Sequence, residues 1–556
     1  MNVNKNNKDK SGIANVKELD DDSVKMNSKK EIKEIKEQEG LRKRKGNEKD
    51  NSVTEEVREI KKKSSKNYIY KWFLGINLIL HLLGFIMILD FVFYPMYFEP
   101  FNGLAFTRVT YLSHNYVNLF LRVPREGKYQ VYFKNNTEYY LANEMELIEG
   151  KDFTNIIQVD NLLSDTKYDY KVVKNGINIF DKEYHFITHP IPYSENSFYF
   201  MAGSCIKRQF PYIPGNTKEL KGIQSLNQLK ANFFFFLGDF IYADVPIYLS
   251  SSLNTYRMFY RQIYQDQNVL KWINNMPLFH IYDDHEIKNN WNKNLEDPYP
   301  QAITAYSEYQ GLGPYIVNNN SELPKTYYTM TYGNVRYFVM DTRRYRTIDS
   351  MLGQQQKREM IDYFLKDQIK FQFNFIISSV PLTQNWQGYD PKQDTWKGYL
   401  KEREEILLNL KDINNLFFIS GDRHELAVVN LPYDKIEFSL SPINQFYAPL
   451  TTFNTQDPNL DSTIFYQRQG NNKFGQFYIN TKQNQSILAT IVYSDRLTKN
   501  NYFKEIDRFN STTLNEAKVL FNFEYWKYKD VEQFLEKAFS AKEIYPVFIF
   551  LFNGKM

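Results

Sequence analysis

Three short polar runs in this sequence contain side chains that bind metal ions or transfer protons. They are Gly238–Tyr242, Tyr282–Trp291 and Gly421–His424, and each directly follows an apolar run of the kind that forms a buried strand. When neighbouring strands end in such loops, the loops meet at one edge of a sheet. The three runs together therefore predict one metal site with the donor types of a metallohydrolase.

The chemistry expected of such a site is hydrolysis of a phosphoryl or related ester. The charged ester oxygens repel a nucleophile, and bound cations generate hydroxide at neutral pH and neutralise the developing charge. Asp239 is expected to bridge two cations, and Asp284 and Asn290 add oxygen ligands from the second run. Asp422 and His424, two residues apart in an extended segment, can face the same pocket.

Cys205, Tyr242 and His285 extend the predicted site. His285 directly follows Asp284, where an imidazole can protonate a leaving oxygen. A thiolate and a phenolate together favour a trivalent or borderline-soft metal such as iron. Each residue also has a structural interpretation, since a lone cysteine is most often a small buried hydrophobe and Gly-Asp pairs are most often turns. The ordered set of motifs is harder to obtain from structural causes.

Residues beside these motifs are assigned supporting roles. Asp283, Glu286 and Trp291 are expected to hold the loop in shape, and His280, inside an apolar run, is expected to be a core histidine.

The bulk composition narrows the function classes. At 556 residues with 42% hydrophobic content, the chain can form several units with a substantial core. A net charge of +4 gives no case for nucleic acid as a specific partner, and no basic groove interleaved with aromatic residues stands out. The single cysteine excludes an internal disulfide framework.

The N-terminal part predicts a tail and a membrane anchor. Residues 1–68 are expected to form a disordered charged tail, because the stretch to Lys66 lacks aromatic residues and a sustained apolar period. Residues 69–96 are expected to form a transmembrane signal anchor, with apolar side chains on every face from Trp72 to Tyr94. The alternative is a buried helix of a soluble protein.

Charge sets the expected orientation of this anchor. Lys61, Lys62, Lys63, Lys66 and Lys71 all precede the span, so the N-terminus is expected in the cytosol and the catalytic part in the lumen of the secretory pathway or outside the cell. Four glycosylation acceptor triplets are compatible with a glycoprotein, at Asn135, Asn319, Asn484 and Asn510.

The remaining chain divides by its periodicity. Residues 100–190 contain short alternating runs at roughly ten-residue spacing, which predict a small β-sandwich, with Tyr168 pinning a sheet corner as in fibronectin type III modules. Residues 196–500 alternate strands with helices, the clearest helix being Gln355–Ile369, and predict a layered α/β catalytic domain. Within it, 451–475 is expected to be a surface insertion. Residues 501–556 are expected to close the domain, with Tyr545–Phe552 as a last strand.

At the chemically active motifs the sequence resembles the alkaline phosphatase D (PhoD-like) branch of the metallophosphoesterases. The resemblance extends over roughly residues 100–500, and the order of its motifs is highly specific. The motifs are Gly203–Cys205, Gly238–Asp244, Asp283–Glu286 with Asn290, Asp341–Arg343, Asp394–Tyr399 with Glu402-Arg403, and Gly421–His424.

This resemblance implies an α-β-β-α metallophosphoesterase domain and a set of metal ligands. It implies Fe3+ held by Cys205, Asp239, Tyr242 and Asp422. It implies Ca2+, or another divalent ion such as Mn2+ or Zn2+, at Asp239, Asp284, Asn290 and His424. His285 matches the proton-donating histidine of the wider superfamily. Arg343, Arg344 and Arg208 are candidate phosphate clamps, because guanidinium pairs with phosphate oxygens in a bidentate manner. The alternative for each of them is a surface charge.

The expected function is that of a membrane-anchored, metal-dependent phosphatase or phosphodiesterase that uses a metal-activated hydroxide. The alternative is a catalytically inactive membrane receptor or scaffold that keeps the phosphatase fold. Loss of motif residues would mark that alternative, and none is lost in this sequence.

Overall fold

The computed structural model describes residues 30–35, 50–136, 138–208, 220–245, 247–316, 324–386, 394–445, 452–482, 486–494 and 517–525. The chain divides into two compact units, Met1–Leu89 and Asp90–Met556. Most of the predicted tail lies outside the described residues, as do Tyr545–Phe552 and the acceptors Asn319, Asn484 and Asn510.

In the first unit, the principal described element is the long helix α1 (Asp50–Ile88). An apolar stretch, Val57–Phe93, begins in this helix, and none of its most apolar window is buried within the described structure. By length and composition it is compatible with a membrane span or a signal anchor. The helix begins at Asp50, within the tail predicted to be disordered, because the Lys and Glu residues common there are strong helix formers.

The second unit opens with a π-helical turn, Leu89–Phe93, and a short helix, α2 (Tyr94–Phe98). Eight strands follow. They are β1 (Phe106–Leu112), β2 (Val117–Arg122), β3 (Gly127–Lys134), β4 (Tyr140–Leu147), β5 (Thr154–Val159), β6 (Lys167–Lys174), β7 (Ile177–Asn178) and β8 (Tyr184–Ile187). They form two antiparallel sheets, ordered β1-β2-β5 and β4-β3-β6-β7 with β8 beside β6.

The two sheets differ in how completely they are covered. β6 alternates between buried and more exposed residues, as its sequence predicts. β2 was expected to alternate too, yet all six of its residues are buried. Its outward face is covered by later parts of the chain: Asn118 donates to the Gly313 carbonyl, and Arg122 donates to the Tyr309 hydroxyl. Tyr168 accepts a hydrogen bond from the backbone N–H of Leu163 at 2.9 Å, which fixes the turn into β6.

The part of the chain predicted to be catalytic contains two larger mixed sheets. The first is ordered β11-β10-β9-β19-β20-β21 and the second β12-β13-β14-β15-β17-β16-β18. Their strands are β9 (Ser197–Gly203), β10 (Phe233–Leu237), β11 (Leu278–Ile281), β12 (Tyr328–Tyr332), β13 (Val335–Val339), β14 (Phe373–Ile377), β15 (Leu416–Ser420), β16 (Leu426–Leu431), β17 (Lys435–Ser439), β18 (Ser462–Gln467), β19 (Phe474–Asn480), β20 (Ser486–Ser494) and β21 (Ala517–Tyr525).

The described helices of this part are α3 (Lys221–Leu226), α4 (Leu253–Tyr264), α5 (Gln267–Asn275), α6 (Tyr299–Tyr309), α7 (Gly353–Leu365) and α8 (Leu400–Asn409). Aromatic rings join the facing sheets: Phe235 of β10 lies 5.1 Å from Tyr337 of β13 between ring centroids. On the other face of β10, Phe234 packs against Trp272 of α5. Since α7 and α8 pack on the outer face of the second sheet, the order of layers is helix, sheet, sheet, helix.

The sequence located the central strands and missed several at the edges. The buried strands predicted directly before Gly238, Tyr282 and Gly421 are present as β10, β11 and β15. The predicted helix Gln355–Ile369 is present as α7 but ends at Leu365, and Ile369 is 87% exposed. The stretch 451–475 is not simply a surface insertion, because β18 lies within it and pairs with β16.

Candidate metal centre

The predicted ligands follow four strands that end beside one another. Cys205 follows β9, Asp239 follows β10 and Asp284 follows β11, and these three strands are parallel neighbours. Asp422 follows β15 in the facing sheet. The structure therefore brings the loops together at the carboxyl ends of both sheets, where open α/β folds bind their ligands.

Potential ligand atoms in this region lie within 4.8 Å of one another in three overlapping groups. The groups are Cys205, Asp239 and His424; Asp239, Asp284 and His285; and Asp239, Asp283, Asp284 and Asp422. Asp239 belongs to all three, which is the position expected of a bridging carboxylate.

Contacts around Asp239 tie together three of the predicted ligands. The Cys205 thiol lies 3.4 Å from Asp239 Oδ2, and the Tyr242 hydroxyl donates to the same oxygen at 3.0 Å. The Tyr242 hydroxyl also lies 2.9 Å from His424 Nε2. A sulfur, a phenol and an imidazole thus converge on one carboxylate.

The backbone at these positions is unusual. Five of the seven predicted ligands adopt a left-handed conformation with φ between 53° and 67°: Cys205, Asp239, Asn290, Asp422 and His424. Residues other than glycine enter this region at a cost, and such residues cluster at functional sites. Four of the five are Asp, Asn or His, the non-glycine types that enter this region most readily, and Cys205 is the exception.

Several buried oxygens of the cluster are suited to a cation. Within the described residues, Asp239 Oδ1, Asp283 Oδ2 and Asp284 Oδ1 are buried and have no hydrogen-bond partner. An unpaired buried carboxylate oxygen is costly, and coordination to a metal ion removes that cost. The thiol and phenol suit a borderline-soft ion such as iron, whereas the carboxylates suit a hard ion such as calcium. The donor set therefore fits the metals that the resemblance implies.

Burial raises the pKa values of several acids of the cluster, whereas the pKa of Asp284 is lowered because Arg343 and His285 outweigh its burial. Burial raises the pKa of the Asp239 carboxyl well above its usual range; His285 opposes this shift, and neighbouring carboxylates such as Asp284 add to it. Burial and the Asp239 charge likewise raise the pKa values of the Cys205 thiol and the Tyr242 hydroxyl. A bound cation reverses this situation, because its charge favours the ionised ligands.

His285 is held by a carboxylate that sequence reasoning did not assign to the site. Its Nδ1 lies 2.7 Å from Asp244 Oδ1, and its ring lies 4.3 Å from the Tyr242 ring between centroids. Burial lowers the pKa of His285, but the carboxylates of Asp244, Asp284 and Asp239 outweigh this effect and raise it well above its usual value. These carboxylates therefore favour the protonated imidazole, the form that can donate a proton. Asp244 could have been found from its place at the end of the Gly238–Asp244 motif.

His424 has the opposite electrostatic environment. Burial lowers its pKa well below the usual value, and the positive charges of His285, Lys473 and Arg423 lower it further. A neutral imidazole keeps a nitrogen lone pair, which is the form that binds a metal ion.

Glu286 connects two of the loops, in keeping with its predicted supporting role. Its carboxylate accepts hydrogen bonds from the backbone N–H groups of Asp239 at 3.0 Å and Asp283 at 2.8 Å, and from that of Phe240. Burial raises the pKa of Glu286 to about 8. The loops after β10 and β11 are thereby fixed relative to each other.

Arg343, a candidate phosphate clamp, lies buried among acidic side chains. Its side chain is 0% exposed, and it donates to Asp283 and to Asp394, each at 2.5 Å. Its Nη2 lies 3.5 Å from Asp284 Oδ1. The guanidinium lies behind the ligands and holds Asp283 and Asp284, because three acidic side chains compete for it within the buried layer.

The three remaining predicted site residues, Asn290, Arg208 and Arg344, each bond to another group of the protein. Asn290 reaches the cluster through its backbone N–H, which donates to Asp284. Arg208 pairs with Glu99, and Arg344 donates to the Pro324 carbonyl.

Comparisons with known proteins agree with this arrangement. The sequence model of a family described as PhoD-like phosphatase matches residues 204–487, just over half of the chain. Alkaline phosphatase D of Bacillus subtilis (strain 168) is 26% identical, over 37% of this chain and 43% of the relative, so the match spans less than half of that protein.

Solved structures give a similar result for the fold. The structure of PhoD matches with a TM-score of 0.58 and 17% identity, covering 71% of this chain and 90% of that chain. The purple acid phosphatase PPD1 from yellow lupin (Lupinus luteus) seeds matches with a TM-score of 0.49 and 14% identity, over 69% of this chain and 74% of that chain. The PhoD match indicates a shared fold.

Proposed function

We propose that this chain, which belongs to the PhoD-like phosphatase family, hydrolyses phosphoesters at the metal-ligand cluster around Asp239. The observation that carries the proposal is the convergence of a thiol, a phenol, imidazoles and carboxylates on Asp239, where buried oxygens of Asp239 and Asp283 have no hydrogen-bond partner among the described residues. A scaffold protein has no need to retain such costly unpaired groups.

The ligands divide into two overlapping sets. Cys205, Asp239, Tyr242 and Asp422 would hold Fe3+, and Asp239, Asp284, Asn290 and His424 would hold Ca2+ or another divalent ion. When bound, the ions activate water as the nucleophile and neutralise charge on the phosphoryl oxygens. Glu286 and Arg343 position these ligands without contacting substrate.

His285 donates the proton to the leaving oxygen. The surrounding carboxylates favour its protonated form, and Asp244 holds Nδ1, which leaves Nε2 as the proton donor. General-acid catalysis of this kind contributes roughly 10²–10⁴-fold to the rate.

The finer parts of the proposal concern the N-terminal half. The two antiparallel sheets of 100–190 form a fibronectin-like sandwich that precedes the catalytic domain, 196–500. The helix Val57–Phe93 acts as a signal anchor with a cytosolic N-terminus, which places the catalytic domain in the secretory lumen or outside the cell. Its support is the unburied apolar surface of that helix and the lysines that precede it.

The direct test is turnover of p-nitrophenyl phosphate and bis-p-nitrophenyl phosphate by the full chain in detergent. Asp239→Asn is expected to abolish both activities and lower metal content. Asp160→Asn, an exposed acid on the β-rich part, is the matched control and is expected to match wild type. Metal-loaded protein with no turnover of either ester, or equal turnover in Asp239→Asn and wild type, would refute the assignment.

A further inference from the structure

The metal-ligand cluster is more open to solvent at Asp422 and His285 than at Asp283 and Asp284. The side chains of Asp422 and His285 are 14% and 15% exposed, whereas those of Asp283 and Asp284 are 0% and 4% exposed. A substrate that enters from solvent therefore meets the cluster first at Asp422 and His285.

Arg423 follows Asp422 in the chain and borders this opening. Its side chain is 6% exposed, and its Nη1 lies 3.5 Å from Asp422 Oδ2. Burial raises the pKa of the Asp422 carboxyl well above its usual range, and the charge of Arg423 opposes that shift. Arg343, in contrast, is enclosed by Asp283 and Asp394. Of these two arginines, Arg423 is the one that lies where a substrate arrives.

An aromatic side chain supports the Arg423 guanidinium. Its Cζ lies 5.7 Å from the centroid of the Trp386 ring, within the range of a cation–π contact. Trp386 is held by Phe453, whose ring centroid lies 4.6 Å away, and the two residues form a β-bridge. Stacking on an aromatic ring restrains the plane of a guanidinium and leaves its N–H groups at the edge to donate. The cation is therefore positioned by the fold.

Buried contacts fix the segment that leads to Trp386. Arg403 donates to the Leu382 carbonyl at 2.9 Å and pairs with Asp461 at 2.6 Å. Asp461 in turn accepts from the Thr383 hydroxyl at 2.7 Å. Arg403 belongs to a motif of the resemblance to which no ligand was assigned, and these contacts give it a role in supporting the Trp386 segment.

We propose that Arg423 binds a phosphoryl oxygen of the substrate and that Trp386 positions its guanidinium for this contact. The inference rests on the proposed phosphoesterase function and adds a substrate-binding residue to it. Guanidinium groups donate in pairs to phosphoryl oxygens. A phosphomonoester carries roughly 1.5 to 2 negative charges at neutral pH, whereas a diester carries about one. Arg423 therefore favours phosphomonoesters over diesters.

The test compares the full chain in detergent with its Arg423→Met variant. This variant is expected to lower kcat/KM on p-nitrophenyl phosphate roughly 10–100-fold, and on bis-p-nitrophenyl phosphate only roughly 2–10-fold. Calorimetric titration with inorganic phosphate is expected to show binding weakened roughly 10–100-fold, with unchanged metal content. Arg358→Met, on the exposed face of α7, is the matched control and is expected to equal wild type in every measurement.

Further variants separate substrate contact from folding. Arg423→Lys keeps the charge without the planar fork, so it is expected to recover only part of the lost kcat/KM. Trp386→Leu is expected to raise KM for p-nitrophenyl phosphate roughly 3–10-fold with kcat little changed, and Trp386→Phe to restore it through its aromatic face. In the Arg423→Met background, Trp386→Leu is expected to leave KM unchanged, because the side chain that it positions is absent.

The outcomes separate this inference from the phosphoesterase function. Wild-type phosphate affinity in Arg423→Met, an equal loss of monoester and diester turnover, or a loss of metal from that variant would overturn the role of Arg423. Absence of turnover of either ester by the metal-loaded wild type would overturn the phosphoesterase function itself. The phosphate affinities then still decide whether Arg423 binds phosphoryl oxygens, since calorimetry does not depend on turnover.

Discussion

Replacing Arg343 with methionine would remove the cation that neutralises the buried carboxylates behind the candidate metal centre. Arg343 donates to Asp283 and Asp394 at 2.5 Å each, and all three side chains are buried. Removing one partner of a buried ion pair leaves an uncompensated charge and costs about 3–5 kcal/mol. We therefore expect Arg343→Met to lower the free energy of unfolding by that amount.

The assay is urea unfolding followed by tryptophan fluorescence. With a denaturant slope of about 3 kcal/mol/M, a loss of about 3–5 kcal/mol lowers the urea midpoint by roughly 1–1.7 M. Arg358→Met, on the exposed face of α7, is the matched control and is expected to stay within about 0.5 kcal/mol of wild type. A double-mutant cycle with Asp394→Asn measures the coupling directly.

The same variant distinguishes two roles for Arg343. A phosphate clamp predicts a higher KM with unchanged stability, whereas a residue that holds Asp283 and Asp284 predicts lower stability and weaker metal binding. If Arg343→Met unfolds within about 1 kcal/mol of wild type and only KM rises, the structural reasoning is refuted.

Four further predictions follow from the site and the core. Burial lowers the pKa of His189 to about 3, so acidification below the unfolded value of about 6.5 protonates this histidine only in the unfolded chain. The free energy of unfolding is therefore expected to fall by up to about 1.4 kcal/mol per pH unit, and by less in His189→Gln. In acid unfolding curves, the control His185→Gln, at an exposed position, is expected to show the wild-type pH dependence. Asp244→Asn is expected to lower kcat roughly 10–100-fold with unchanged metal content, because His285 loses the group that orients it; unchanged kcat would contradict this role. Tyr242→Phe is expected to remove a visible phenolate-to-iron absorption band, and iron-loaded wild type without such a band would count against this ligand. Chelation of the metals is expected to lower the thermal midpoint and readdition to restore it, since ions that bind only the folded chain stabilise it; an identical midpoint with and without metal would exclude this linkage.

The clustering of the ligand loops was predictable because it depends on short-range patterns. A buried strand followed at once by ligand residues is visible within about ten residues of sequence, as at β10 with Asp239 and β15 with Asp422. Parallel strands then bring such loops to one edge without further information. The joining of Cys205, Asp239 and His424 is therefore largely a consequence of local sequence and general topology.

Features that depend on residues far apart in the chain could not be predicted from the sequence. Arg343 bonds Asp283 and Asp394, which lie 60 and 51 residues away, and nothing near Arg343 signals that both are buried beside it. The burial of every residue of β2 likewise depends on Gly313 and Tyr309, far along the chain. β18 was missed because Ser462–Gln467 is polar at its ends and only half-buried, which weakens the alternating pattern of a strand.

The candidate centre combines two features that raise the free energy of the folded chain, and their coincidence points to function. Left-handed residues cost about 1 kcal/mol or more each, and buried oxygens without partners add further cost. The aromatic layer between the sheets supplies the core, and buried side chains of these loops such as Phe240 and Ile287 join it. Glu286 and Arg343 hold the loops in this costly arrangement through buried hydrogen bonds and ion pairs. The surrounding structure thus holds the metal-binding side chains in a strained arrangement that is organised for a cation before the cation binds. Catalysis at a metal centre requires this preorganisation.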